Sequence, residues 1–336
     1  MKISVVIPTL NRRDSLLRVF EDLRGQTHKN FEVIVIDGGS TDETKGLCSL
    51  YRQYLDIKFY LQQKSGIAGA MNEALGYCTG DIFSRTDDDV ALSKEWLSEI
   101  MDIFSKYPDA GGVSGPTTIP QDRMEKRDLT LFNEKIKNPK NLFWKIFKLL
   151  YHGYFMEGNP FAVSHFYRCG AFSIGANYKS ALELKNIIEV DYLESCNWSV
   201  RMDLFRKCGG FDEHYGGVSE YCDADAVYKI KRLSFKMYFN PKAKIQHLVD
   251  RGGNFKARSG TYGRMHNFIL FYLRHIKPDT LDKILRFSLY LMFINSYFVY
   301  CAIKQRQLSQ LSGIAGTFVS LYRYFPEALK PYKQKI

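Results

Sequence analysis

Apolar residues in the first hundred positions come in two alternating forms. Short β-branched runs at 3–7, 31–36 and 57–61, followed by Ile82 and Phe83, have the density expected of parallel strands buried on both faces. Between them lie segments with helical spacing, Leu16, Leu17, Phe20 and Leu23 in one and Trp96, Leu97, Ile100 and Ile103 in another. Turn and cap chemistry punctuates the pattern. Pro8 and Thr9 stop the first strand, Asn11 followed by Asp14 resembles a capping signal, and Gly25 follows the helix end. Ser40 or Thr41 is placed to cap a second helix, residues 65–70 open a third, and Ser93 is the expected N-cap of the fourth. The β-α-β-α-β-α-β-α order predicts an α/β fold, a mostly parallel sheet flanked by helices, with its ligand at the carboxyl ends of the strands.

Three polar clusters fall at those ends: Pro8-Thr9-Leu10-Asn11-Arg12, Asp37, and Asp87-Asp88-Asp89. Three adjacent carboxylates repel one another, and a divalent cation or a polyol above them removes that cost. Oxygen ligands at a strand end suit Mg²⁺ or Mn²⁺ shared with a diphosphate. Taken alone, such a triplet is more often a solvated turn capping the next helix than a metal site. No Gly-x-Gly-x-x-Gly or Walker loop follows the first strand, which argues against a dinucleotide or P-loop site.

Composition adds a boundary. The 336 residues, 45% hydrophobic, have room for one large domain or two modest ones. Seven cysteines without a Cys-x-x-Cys pair argue for a reducing compartment and against a disulfide framework or zinc ribbon. The N-terminus reads as a first strand and not as a signal peptide. The net charge of +11 lies entirely in residues 251–336, which hold 14 Lys/Arg against Asp279, Asp282 and Glu327. That imbalance points to an anionic partner.

Within this tail, residues 287–303 and 308–322 are uncharged, and Lys304 and Arg306 lie between them. A spanning hairpin would carry those cations across the bilayer, against the positive-inside tendency. The tail is therefore expected to lie on or in the cytoplasmic leaflet, its cations on anionic headgroups, as a peripheral or monotopic attachment to the inner face of the cell membrane. A helical subdomain packed on the rest of the chain is the alternative. Residues 141–156, apolar with Lys145 and Lys148, read either as a packed helix or as a patch meeting lipid or a large acceptor. Cations flanking long apolar runs, instead of interleaving with exposed aromatics, argue against a nucleic-acid partner.

The ordered pieces SVVIPTLNR, VIVIDGGSTDET, GIAGAMNEAL, RTDDD, NWSVR, GGFDE, CDADAVYKIKR and PKAKIQH resemble the family-2 glycosyltransferases, inverting enzymes of the GT-A fold. The resemblance runs from residue 2 to about 250. It implies a catalytic domain over 1–255, with a nucleotide-binding half (1–116) and an acceptor-binding half (117–255), followed by the helical tail 256–336. By the same resemblance, Pro8, Thr9 and Arg12 line the nucleobase pocket, Asp37 accepts from the base, and Asp87 contacts the ribose or base side. Asp89 holds the metal (Mn²⁺ or Mg²⁺), His247 adds a metal or diphosphate contact, and Asp223 is the catalytic base. Asn197, Trp198 and Asp212 belong to the acceptor loops, and residues 251–254 to a loop that closes over the diphosphate.

The implied activity is metal-dependent transfer of a sugar from a nucleotide sugar to a saccharide or lipid-linked acceptor. A nucleotidyltransferase, or a non-catalytic nucleotide or nucleic-acid binder using the basic tail, is the rival reading. Three positions depart from the family pattern: Cys222 stands where a Glu usually precedes the base, Met71 where Arg often precedes Asn72, and Ser195-Cys196 where a Gly is common.

Overall fold

The computed structural model describes residues 1–124, 136–216, 220–250 and 260–330. The four apolar runs form parallel strands β1 (Ile3–Thr9), β2 (Phe31–Asp37), β3 (Ile57–Leu61) and β4 (Ile82–Arg85), in the spatial order β3-β2-β1-β4. Their residues alternate between two cores. Val6, Ile34 and Ile36 pack on one face, and Val5, Ile7, Val33 and Val35 on the other. A strand covered on both sides needs no polar face, which is why the runs are apolar throughout.

Four further strands extend this sheet: β6 (Ala110–Ser114), β8 (Ile188–Val190), β9 (Trp198–Arg201) and β10 (Lys236–Phe239). The order across the sheet is β3-β2-β1-β4-β9-β6-β10-β8, with β9 antiparallel to both neighbours. A second sheet joins β5 (Val90–Leu92), β11 (Ile245–His247) and β7 (Thr117–Thr118), and its register sets His247 opposite Val90. Two three-residue strands thus bring a histidine beside the acidic triplet.

The first helices, Arg13–Arg24, Thr44–Tyr51, Gly66–Tyr77 and Trp96–Lys106, bury the expected apolar faces. Their caps differ from expectation. Asn11 is in the left-handed region (φ +51°), and its side-chain oxygen accepts from the Thr41 amide at 2.8 Å, so it ties two loops together. The second helix begins at Thr44, past Ser40 and Thr41, because Ser40 is held by Asp37. Trp96, not Ser93, lies at the start of the fourth; its amide donates to the Ser93 carbonyl at 3.0 Å.

Residues 141–156 are half packed. Asn141 caps the helix Leu142–Lys148, which continues as a π-helical turn, Leu149–Phe155. Phe147, Tyr151 and Phe155 lie against Phe293 or Tyr290, with ring centroids 5.5, 5.5 and 5.3 Å apart. Leu142, Ile146 and Leu149 face outward.

The tail begins with the helix Thr261–Phe271, whose Leu270 and Phe271 belong to the same core as Val6 and Phe83. Helices Leu281–Gln305 and Ser312–Leu329 follow, with Met292, Ile303, Phe318 and Tyr322 among their exposed apolar side chains. Among the described residues one helix, spanning Leu281–Lys304, is long and apolar enough to cross a membrane.

Candidate active site

Strand pairing builds the donor end of the site. Thr9 lies beside Asp37 in the β1–β2 register, and β4 delivers the triplet next to them. Asp37 is buried and accepts from the Ser40 amide at 3.0 Å and from the Ser40 hydroxyl, which fixes its carboxylate at the strand end. Pro8, one residue earlier in β1 and opposite Ile36, is half-buried.

The triplet divides into two roles. Asp88 turns inward and accepts from Thr9 Oγ1 at 2.8 Å and Arg12 Nη1 at 2.7 Å. Burial nevertheless pushes its carboxyl up to about 6, against the pull of Arg12 and Thr9. Arg12 also sits 3.2 Å from Asp89 Oδ2. Its guanidinium is thus turned to the acidic cluster, where it offsets the repulsion among the three carboxylates. Asp88 and Arg12 form the internal brace of the loop.

Asp87 and Asp89 remain for a ligand. With His247 they present three potential ligand atoms, all within 4.8 Å of one another. Asp89 is buried, and its Oδ1 has His247 Nε2 at 3.2 Å but no aligned hydrogen-bond donor. Its Oδ2 accepts from the Asp250 amide at 3.0 Å. Burial raises the Asp89 carboxyl, but His247 and Arg12 outweigh it, so the group stays below the ordinary carboxylate range. Two carboxylates and an imidazole, one carboxylate oxygen lacking an aligned donor, fit a divalent cation of the Mn²⁺ or Mg²⁺ type.

The other half is carried by the helix Cys222–Lys231. Asp223 in its first turn accepts from Arg85 Nη1 at 2.6 Å, and Arg85 Nη2 lies 3.8 Å from Asp87 Oδ1. Burial raises the Asp223 carboxyl, partly countered by Arg85, and the net shift is upward. Arg85 is itself buried and joins the two halves of the site. Sequence reasoning missed it, although its place at the head of Arg85-Thr86-Asp87 was the available signal. Cys222 is buried in the core, and Glu220 pairs with Arg264 at 3.3 Å, so neither stands beside Asp223 as a second acid.

Two of the three expected acceptor residues are buried in the fold. Asn197 is fully buried, accepting from Trp96 Nε1 and donating to the Ala243 carbonyl, each at 2.8 Å. Trp198 is also fully buried, among Phe83, Phe205 and Phe211. The tryptophan occupies an inward position of β9, and the asparagine pins the turn that leads into it. Asp212 is engaged by Arg274 Nη1 at 2.6 Å and the His214 amide at 2.9 Å. Met71 is core, while Asn72 clips the 209–213 loop in place through both the amide and the carbonyl of Phe211. Residues 251–254 lie outside the described residues.

A buried charge cluster ties the tail to the base helix. Asp225, two residues after Asp223 and fully buried, meets His275 Nε2 at 2.8 Å, Arg274 Nη1 at 2.9 Å and Lys229 Nζ at 2.9 Å. Burial lowers the His275 pKa to about 4, so the imidazole is neutral near pH 7.

Solved structures of GT-A type share this α/β fold. TarS of S. aureus, residues 1–349 in complex with UDP-GlcNAc, superposes with a TM-score of 0.59 at 16% identity, covering 98% of this chain and 82% of that one. The mannosyltransferase PcManGT of Pyrobaculum calidifontis, in complex with GDP-Man and Mn²⁺, gives 0.54 at 15% identity, covering 96% and 87%. Residues 4–167 match the family described as glycosyl transferase family 2. It is also 26% identical over 255 residues to a glucosyl-dolichyl phosphate glucuronosyltransferase of Haloferax volcanii, covering 74% of this chain and 69% of the relative. The chain spans 16% to 42% of the length of the first curated relatives it matches.

Proposed function

We propose that the chain moves a sugar from a nucleotide sugar to an acceptor hydroxyl in one displacement with inversion at the anomeric carbon. The observation that carries this reading is the join between two half-sites: Asp87, Asp89 and His247 at the strand ends, linked through Arg85 to Asp223. Asp87, Asp89 and His247 would hold the divalent cation, which when bound supplies Lewis-acid stabilisation to the leaving diphosphate. Asp37 and Thr9 mark the nucleoside end. Asp223 takes the acceptor proton as the acceptor oxygen bonds to the anomeric carbon and the bond to the diphosphate breaks. A carboxyl raised by burial is better matched to that task at neutral pH than an ordinary one. Asp88, the other carboxyl that burial raises here, is taken up by Thr9 and Arg12, and among the described residues no nucleophile–base pair stands beside Asp223, which favours a single displacement over a covalent intermediate.

The acceptor in this reading is a saccharide on an isoprenoid phosphate, as the Haloferax relative's name describes for that protein. Attachment to the cytoplasmic face of the membrane goes with it. What supports attachment is the exposed apolar surface of Leu281–Gln305 and Ser312–Leu329 beside the chain's excess of cations. Residues 1–116 then serve the donor, 117–255 the acceptor and 256–336 the membrane, with the Asp225 cluster holding the last to the second.

Isothermal titration of UDP and GDP with and without Mn²⁺ tests the donor half. Binding of one of them that requires Mn²⁺ and is lost in Asp89→Asn is expected. Binding indifferent to both metal and Asp89 contradicts the reading.

A further inference from the structure

Between the turn Leu149–Phe155, residues 156–174 and the helix Leu281–Gln305 lies a cavity of about 150 Å³, lined by Tyr151, Met156, Phe172, Ile174, Tyr221 and Tyr290 among others. Every lining side chain is apolar or aromatic. A volume of about this size has room for a benzene-sized apolar group, close to the bulk of one branched isoprene unit. Phe172 at its edge is 47% exposed, so the cavity meets the surface there.

Two observations narrow what belongs in it. The first is Tyr221, which forms one wall and stands two residues before Asp223. Its backbone is in the left-handed region (φ +72°), a costly conformation for a bulky residue, and its ring packs on Phe172, Phe268 and Phe271. Two residues of chain span at most about 7 Å, so the backbone of this wall and that of the candidate base lie within that distance. The second is the surface just outside. Leu142, Ile146, Leu149 and Leu150 are 71%, 58%, 72% and 40% exposed. Lys137, Lys140, Lys145 and Lys148 accompany them, and residues 136–156 contain no Asp or Glu. An apolar ridge with cations and no acids is complementary to an anionic lipid surface, the medium that holds a long isoprenoid.

We infer that this cavity receives the head-proximal isoprene unit of a polyprenyl-phosphate-linked acceptor, entering from a membrane on which the 142–150 ridge rests. The assignment rests on the lipid-linked acceptor reading above and adds the place where the lipid is gripped. Tyr221 then serves two ligand parts, its ring bounding the tail and its backbone setting the start of the base helix.

The test uses the full chain and farnesyl phosphate bearing a benzophenone, with labelled peptides mapped after irradiation. Labels on peptides containing Tyr151 or Phe172, competed by farnesyl phosphate and not by inorganic phosphate, are expected. Phe172→Glu, at an exposed edge, and Ile174→Trp, which narrows the cavity, should each cut this labelling at least tenfold and leave UDP or GDP binding unchanged. Labelling confined to 281–329, equal competition by dodecyl phosphate, or wild-type labelling in both variants overturns the assignment. A separate transfer assay to lipid-linked saccharides reads the acceptor question. Transfer without cavity labelling removes the cavity alone, and cavity labelling without transfer removes the acceptor reading.

Discussion

Arg85 Nη1 lies 2.6 Å from Asp223 Oδ1, a contact between residues 138 positions apart and on different sides of the site. Arg85 ends β4 and Asp223 begins a helix, so the ion pair fixes the distance between the donor carboxylates and the base. It also holds down the pKa of a base that burial pushes up. A buried pair of this kind is costly to break from one side, since the remaining charge is left without its partner.

Asp223→Asn should therefore lower kcat by roughly 10²–10⁴-fold with donor binding retained, the usual contribution of a positioned base. The base acts deprotonated, so activity in the wild type is lost as pH falls through a pKa above the ordinary 3.8. Arg85→Gln removes the charge that lowers this pKa, and the acid limb of kcat/KM moves to higher pH. A pH–rate profile of folded Arg85→Gln that overlays the wild type contradicts the pairing.

Trp198 is expected to matter for folding and not for acceptor recognition. Trp198→Ala deletes a fully buried ring and should cost about 3–5 kcal/mol in urea unfolding. Trp198→Phe, which keeps most of the apolar volume, should leave the acceptor KM within about twofold. A large KM change in that conservative variant would return the residue to the acceptor site.

The Asp225 cluster makes the tail part of the folded unit. Asp225→Ala removes the buried carboxylate shared by His275, Arg274 and Lys229, and about 3–5 kcal/mol of stability should be lost. Truncation after residue 255 removes Leu270 and Phe271 from the main core together with both tail partners of Asp225. The shortened chain should be insoluble or molten by circular dichroism; a cooperative melt near the wild-type temperature contradicts this.

Glu32 supplies a pH signature far from the site. Its buried carboxylate takes up hydrogen bonds from Lys58 at 2.6 Å, Lys2 at 3.1 Å and Ser4 at 2.6 Å. Burial opposes ionisation, but these donors and the Thr79 amide win and lower the pKa from 4.5 to about 2. A lowered folded-state pKa gives stability that is fully present above 4.5 and lost as pH falls toward 2, on the order of 3 kcal/mol. Urea titrations between pH 6 and 3 should show that loss in the wild type and a flatter profile in Glu32→Gln.

The first half of the fold was legible because periodicity suffices there: β3 begins and ends where the 57–61 run does, and the helix faces follow their apolar spacing. Local chemistry misled where side chains serve distant partners. Asn11 looked like a cap and instead bridges to Thr41; Asn197 and Trp198 looked like acceptor groups and are core. Asp88 had no role in the sequence because its partners, Thr9 and Arg12, come from another strand end. The pairings Arg85–Asp223 and Asp225–Arg274 depend on tertiary packing, which no short-range pattern encodes. His247 reached Asp89 only through β5 and β11, strands of three residues each, too short to carry a period.

The most direct measurement is release of nucleoside diphosphate from UDP-, GDP- and dTDP-sugars by the full chain with Mn²⁺, in wild type and Asp89→Asn. The predicted result is release from at least one donor, abolished by chelation and lowered at least about 10²-fold by Asp89→Asn. No release from any donor, or undiminished release after both chelation and Asp89→Asn, would contradict the account.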